Sequence, residues 1–176
     1  TLELSRFIRL LKQKVNSRVA QELDVNETAK TSAELSTLNF PRYFPVLSPK
    51  QERWLDVALL IEDTDSMILW QSLLTEVRDF LEHLGAFRDI KLYRIKWDNN
   101  SEILQIYHFY SPSITLSPQE LNSSNSRRLI LMLSDCISLA WINHKFINIL
   151  QQWATKEKLT LLNPFPERMW EGTNLC

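Results

Sequence analysis

The sequence predicts an α/β fold of three layers, in which helices cover both faces of a mostly parallel central sheet that carries one antiparallel hairpin. Two short runs, 55–61 and 129–133, are apolar apart from Asp56, as is typical of strands buried on both faces. Each run is followed by a segment whose apolar residues recur at helical spacing. Alternation of strand and helix favours parallel strands joined by helical crossovers.

The first 50 residues are predicted to be a helical and extended segment that packs on this core, and 51–176 the α/β domain itself. A first helix is indicated by an apolar stripe at helical spacing: Leu4, Phe7, Ile8, Leu11 and Val15. Its other face is basic, which also suits a membrane surface or a partner's groove, but packing on the chain's own sheet is more economical. A weaker helix is predicted over 24–36, with Ala29 and Ala33 inward. Prolines 41, 45 and 49 then interrupt regular structure.

Beyond the central strand, a helix over 68–84 is predicted to end at Gly85, a natural left-handed cap. Runs 90–97 and 103–110 are predicted to form a hairpin on the outer side of that strand. The stretch 111–126 is rich in Ser, Asn and Pro and indicates a loop with one short turn at 118–121.

The last third of the domain is predicted to supply one more helix and one more strand. The helix would bury Phe146, Ile149, Leu150 and Trp153. Leu159 to Leu162 would return as a buried parallel strand, and the tail 164–170 is irregular.

An acidic cluster that includes two hydroxyls follows the central strand: Glu62, Asp63, Thr64, Asp65 and Ser66. Open α/β sheets bind ligands at this carboxyl end of their strands. In one interpretation Ser66 or Asp65 simply caps the next helix. In the other, Glu62, Thr64 and Ser66 point the same way and offer oxygen ligands to Mg²⁺, the one cofactor that the sequence suggests.

The motif EDTDSM resembles the Asp-x-Ser-x-Ser-Met metal-ion-dependent adhesion site of von Willebrand factor A domains, with Glu62, Thr64 and Ser66 at the ligand positions. RRLILMLSDCIS is similar to a later strand of those domains, whose loop supplies an acidic metal-site residue, here Asp135. The family has Asp where Glu62 stands and Ser where Thr64 stands, and its threonine loop has no counterpart. The resemblance implies a trimmed von Willebrand A-like, Rossmann-like fold, because 111–126 is too short for the family's pair of helices.

A narrower resemblance covers about 45–175. ERWLDVALLIEDTDSM, LGAFRDIKLYRI, RRLILMLSDC and NPFPERMW together resemble the N-terminal domain of a degenerate von Willebrand A-like group of uncharacterised actinobacterial and cyanobacterial proteins. Those proteins are often multidomain and are associated with MoxR-type ATPases and bacterial conflict systems. The resemblance therefore implies further domains of the same chain.

Composition excludes several functions. Two glycines in 176 residues leave no Gly-rich phosphate loop, so neither a Walker-type nor a dinucleotide site is expected. A net charge of -1 argues against nucleic-acid binding. Cys136 and Cys176 make no disulfide framework, and the three histidines are not spaced as a metal pair. With no apolar run of ~20 residues and no signal peptide, we expect no membrane association and a cytoplasmic location.

The expected function is a non-catalytic protein-interaction or scaffold module of a larger bacterial protein. It would dock a partner's carboxylate through a metal at Glu62, Thr64, Ser66 and Asp135, or dock without metal, and we expect weak metal binding or none. The alternative is a Mg²⁺-dependent nuclease or phosphohydrolase that uses the carboxylates of Glu62, Asp63, Asp65 and Asp135. We expect no basic residue near the cluster to clamp a phosphate, which favours binding over catalysis.

Overall fold

The computed structural model describes residues 9–36, 42–122 and 127–174. Its central feature is a sheet of six strands, which in chain order are β3 (Asp56–Glu62), β4 (Ile90–Asp98), β5 (Ile103–His108), β6 (Ser111–Leu116), β7 (Arg128–Leu133) and β8 (Lys158–Leu162). The spatial order is β6-β5-β4-β3-β7-β8. β3 pairs in parallel with β4 and with β7, and β7 pairs in parallel with β8. β4, β5 and β6 are antiparallel neighbours, so the predicted fold class and the hairpin outside β3 are confirmed.

Two amphipathic helices cover opposite faces of this sheet. Helix α2 (Gln71–Leu84) follows a 3-10 turn, Ser66–Trp70, and buries Leu74 and Leu81 against one face. Helix α3 (His144–Lys156) buries Phe146, Leu150 and Trp153 against the other, as its spacing predicted. Successive β3 residues alternate between these two clusters, so β3 is buried from both sides and the carboxyl ends of β3 and β7 are adjacent.

Two predictions about the ends of the sheet are wrong. The Leu159–Leu162 run was expected to be a buried strand, yet β8 is an edge strand with its leucines only half buried. A short leucine-rich run does not distinguish one covered face from two. Residues 111–116 were expected to be loop and instead form β6, at the opposite edge. An exposed edge strand tolerates Ser and Pro, which explains why its composition resembles a loop. The predicted turn at Pro118–Leu121 is present as a 3-10 helix.

The N-terminal part differs most from expectation. β1 (Lys14–Leu23) and β2 (Leu47–Arg53) form a separate antiparallel sheet, so Val15 lies in a strand and Pro49 lies inside another. Helix α1 (Val25–Leu35) lies between them as predicted, capped by Asp24. Its inward residue is Thr28, whereas Ala29 and Ala33 are exposed, because the Thr28 hydroxyl bonds to the Val46 backbone.

Leu11 of the predicted first helix is helical and half buried. Leu4, Phe7 and Ile8 lie outside the described residues, so the packing of that helix on the core stays a prediction. The described start of the chain is held near the sheet by Trp54, whose indole donates to the Leu10 carbonyl at 3.1 Å. Among the helices in the described ranges, none combines the length and apolarity needed to cross a membrane.

Candidate functional site

The carboxyl edge of the sheet is built from the segment that follows β3 and the segment that follows β7. Glu62, the last residue of β3, is 4% exposed. Its carboxylate accepts hydrogen bonds from the hydroxyls of Ser134 and Ser138 and from the Trp141 indole at 3.0 Å. All three donors come from the β7 side. Glu62 therefore joins the two segments, and its sequence position gave no sign of these partners.

Thr64 and Ser66 lie together, with their hydroxyl oxygens 3.1 Å apart and both side chains half buried. Asp65 is exposed and stands at the start of the 3-10 turn without a side-chain capping bond. The interpretation of Ser66 or Asp65 as a helix cap is therefore wrong. The turn begins instead with backbone bonds from Met67 and Ile68 to the carbonyls of Thr64 and Asp65.

Asp63 points away from Glu62 toward the hairpin. Arg94 donates to one of its carboxylate oxygens at 3.0 Å, and the Tyr107 hydroxyl donates to the other at 2.8 Å. The Arg94 guanidinium also lies 4.6 Å from the centre of the Phe109 ring. Burial, helped by the bond to Asp63, raises the pKa of Tyr107 to about 12.

The expectation that no basic residue lies near the acidic cluster is thus wrong. Arg94 pairs with Ile61 in the β3–β4 register, which places its side chain beside the next residues of the chain. The signal that could have found it is the strand IKLYRIKW, in which Arg94 begins the half that leads to the cluster. The contact itself could not be predicted, because the sequence does not reveal the register between two parallel strands.

Asp135 follows β7 and is fully buried. One carboxylate oxygen, Oδ1, accepts a bond from the Ile137 backbone at 3.2 Å, while Oδ2 has no hydrogen-bond partner within the described part of the chain. The next residue, Cys136, is also buried and has a φ of +58°, a conformation that is uncommon outside glycine. Burial raises the pKa of the Cys136 thiol to about 12, and the carboxylates of Glu62 and Asp135 act in the same direction.

The metal site predicted from Glu62, Thr64, Ser66 and Asp135 stays a prediction. The described ranges contain no group of three or more His, Cys, Asp or Glu side chains arranged to hold an ion. The oxygens of Glu62 already accept three bonds from the protein, so a cation there would compete with Ser134, Ser138 and Trp141. Among these four residues only Asp135 offers a buried carboxylate oxygen without a partner in the described part of the chain, so in this conformation the set fits Mg²⁺ poorly.

Two open clefts flank Glu62, Asp63 and Thr64. One, of about 180 Å³, lies against α2 and reaches Arg94 and Phe109. The other, of about 300 Å³, is shared between the hairpin and the β7 side, with Lys96, Ser138 and Leu139 in its lining. Both are at or below the low end of the ~300–1,000 Å³ typical of small-molecule pockets. Their openness to solvent favours a surface contact over an enclosed ligand.

Comparison of the chain with protein-family models, with curated proteins and with solved structures finds no match. What the structure itself defines is an α/β protein with a six-stranded, mixed sheet and a polar carboxyl edge.

Proposed function

We propose that the chain is a non-catalytic protein-interaction module and that a protein partner docks at the carboxyl edge of the sheet. The observation that carries the proposal is the exposure of large apolar side chains on the two segments that border the clefts, where Ile68 and Leu139 belong to the cleft linings. They are Ile68 (60% exposed), Leu69 (81%), Ile137 (45%), Leu139 (62%) and Ile142 (61%). All follow β3 or β7, and the bonds of Glu62 hold the two segments together. Grouped apolar exposure is typical of interaction sites, whereas isolated exposed residues are ordinary.

The acids of the cluster favour docking without a metal, because most of them already bind other residues of the protein. Glu62 is bonded to the β7 side, and Asp63 is bonded to Arg94 and Tyr107. Asp65 is the exposed acid of the cluster, lines the same cleft as Leu139, and its side chain forms no capping bond. A fitting partner is therefore a protein segment with apolar side chains and a lysine or arginine opposite Asp65, docked without a metal.

The resemblance to multidomain bacterial proteins suggests where such a module acts. We place it within a longer protein of a conflict or ATPase-associated system, where it would bring a partner to the other domains. In this role the carboxyl edge binds the partner and catalyses no reaction.

The test substitutes two exposed leucines at the edge and one apolar residue far from it. A partner is first captured on the intact protein, identified and purified, and its affinity is then measured by calorimetry. Leu69→Glu with Leu139→Glu should weaken the affinity by a factor of about ten or more, as expected for hot-spot residues. Val19→Glu, at a position that is 92% exposed in β1, is the matched control and should bind normally. Equal affinity in the double variant would refute the surface.

One observation favours the alternative, a Mg²⁺-dependent nuclease or phosphohydrolase. Arg94 supplies the cluster with a cation that could stabilise a phosphate. Its guanidinium is, however, already paired with Asp63 and stacked on Phe109. Metal-dependent cleavage of nucleic acid that disappears in Asp63→Asn and in Asp135→Asn would replace the interaction module by this enzyme.

A further inference from the structure

The segment 163–174, here named the C-terminal strap, crosses the carboxyl edge after β8. It begins at Asn163, whose side-chain oxygen accepts from the Phe165 backbone at 2.8 Å. The Phe165 ring meets the Trp70 ring edge-on at 5.4 Å, next to the segment that follows β3. A 3-10 helix, Glu167–Gly172, then leads to Asn174.

Asn174 fastens the strap to the segment that follows β7. Its side-chain amide donates to the carbonyls of Ile137 at 2.8 Å and Ser138 at 3.0 Å, and its backbone N–H donates to the Cys136 carbonyl at 2.8 Å. The strap is thus attached to both segments that carry the exposed apolar residues.

The groups beside these attachments are poorly satisfied. Asp135 Oδ2 is buried and lacks a hydrogen-bond partner in the ranges that the structure describes. The Asp135 carboxylate and the Asn163 side chain both lie beside the Cys136 thiol, and Cys136 has a φ of +58°. Buried polar atoms without partners and left-handed conformations outside glycine both disfavour the state in which they occur.

The 3-10 helix of the C-terminal strap packs only weakly on the rest of the protein. The 3-10 helix of the strap buries none of its residues, and Met169 and Trp170 are 48% and 38% exposed. Segments with few buried apolar contacts open at a lower free energy than the core. The closed arrangement therefore combines an unsatisfied carboxylate oxygen and a left-handed residue inside with weak apolar packing outside.

We propose that the C-terminal strap is a latch that opens without unfolding the sheet and, in opening, makes Asp135 available at the carboxyl edge. In the open state, water or an N–H group of a partner can bond to Asp135 Oδ2. The acid would then lie next to Ile137 and Leu139, so that the open edge presents a second carboxylate besides Asp65. The consequence for partner binding rests on the proposed function; the opening itself does not.

The test follows the opening through Cys136, which is fully buried when the strap is closed. The intact protein is treated with iodoacetamide, and peptide mapping separates modification of Cys136 from that of Cys176. Asn174→Ala removes the two side-chain bonds and keeps the backbone one. We expect it to alkylate Cys136 about ten times faster than the unaltered protein, which corresponds to the loss of one or two hydrogen bonds.

The matched control is Asn100→Ala in the exposed hairpin turn, where the bond to Asp98 comes from the backbone and survives the change. Urea denaturation of every variant gives the stability of the whole fold. Faster alkylation with an unchanged urea midpoint supports the latch. An unchanged rate overturns it, as does a rate that rises only in step with a lowered midpoint. Equal partner affinity in Leu69→Glu with Leu139→Glu, which would refute the docking surface, would leave this result standing, so the two proposals fail separately.

Discussion

The indole nitrogen of Trp141 donates a hydrogen bond of 3.0 Å to the buried Glu62 carboxylate and lies 3.1 Å from the Ser134 hydroxyl. This contact joins residues that are 79 positions apart in the chain. It fixes the segment after β7 against the end of β3, and so holds the two halves of the carboxyl edge in one arrangement.

Trp141→Phe should therefore destabilise the fold. The change keeps most of the apolar ring but deletes a donor to a buried charged group, a bond worth about 1.5–3 kcal/mol. Urea denaturation should show a lower free energy of unfolding by that amount. Trp54→Phe is the matched control, because its indole bonds to the Leu10 carbonyl at an exposed position and its loss should cost much less. Equal losses in the two variants would show that the Glu62 network contributes little.

Gly85 occupies the C-terminal cap of α2, where the fold needs the left-handed conformation that glycine adopts easily. It ends α2 with a φ of +58°, and an added Cβ would meet nothing closer than 3.9 Å. Gly85→Ala should then cost only the backbone term, about 1–2 kcal/mol. Gly172→Ala, where a Cβ has no neighbour within 4 Å, should leave the melting temperature nearly unchanged. A loss at Gly172 equal to that at Gly85 would contradict this explanation.

The parts of the fold that the sequence predicts correctly are those with a strong local signal. β3 and β7 come from short, nearly continuous apolar runs, α3 comes from an apolar stripe at helical spacing, and Gly85 ends α2 where a cap is required. β6 and β1 have no such signal, because an exposed strand needs little more than a neighbour with which to pair.

The candidate site shows the same limit. The sequence places Glu62 and Asp135 at the ends of adjacent parallel strands, and the structure confirms that placement. What it could not predict is how the carboxylates are used, since Trp141, Ser138 and Arg94 reach them through register and helix packing. Those tertiary contacts turn a pattern that resembles a metal site into one in which most acids already have protein partners.

Tyr107 gives the fold a dependence on high pH. Its pKa is raised from about 10 in an unfolded chain to about 12 in the fold, chiefly by burial and also by the bond to Asp63. Between these values the unfolded chain loses this proton and the folded protein keeps it, so stability is complete below pH ~10 and falls as the pH rises toward 12. Tyr107→Phe does not titrate and should show a shallower fall.

The measurement is urea denaturation at several values of pH from 9 upward, together with the tyrosinate absorbance of the folded protein. Tyr43→Phe, at a position that is 67% exposed, is the matched control and should keep the steep fall of the unaltered protein. The same slope in all three proteins would show that Tyr107 does not cause the dependence.

The last prediction concerns metal at the carboxyl edge, and it is that Mg²⁺ and Mn²⁺ bind weakly or not at all. A divalent ion needs oxygens that are free to turn toward it. Here the Glu62 oxygens accept from Ser134, Ser138 and Trp141, and the hydroxyls of Thr64 and Ser66 face each other at 3.1 Å. Asp135 is buried with one unpaired oxygen, and a single carboxylate oxygen is a poor site for either ion.

Calorimetric titration of the intact protein with each ion tests this prediction, with Asp135→Ala combined with Ser66→Ala as the comparison. Little heat in both proteins is the expected result, because the protein's own donors compete with any cation for Glu62. Tight binding that the double substitution abolishes would show that these bonds rearrange around an ion and would restore the predicted ligand set. Tight binding that survives the substitution would place the ion elsewhere and remove Ser66 and Asp135 from that set.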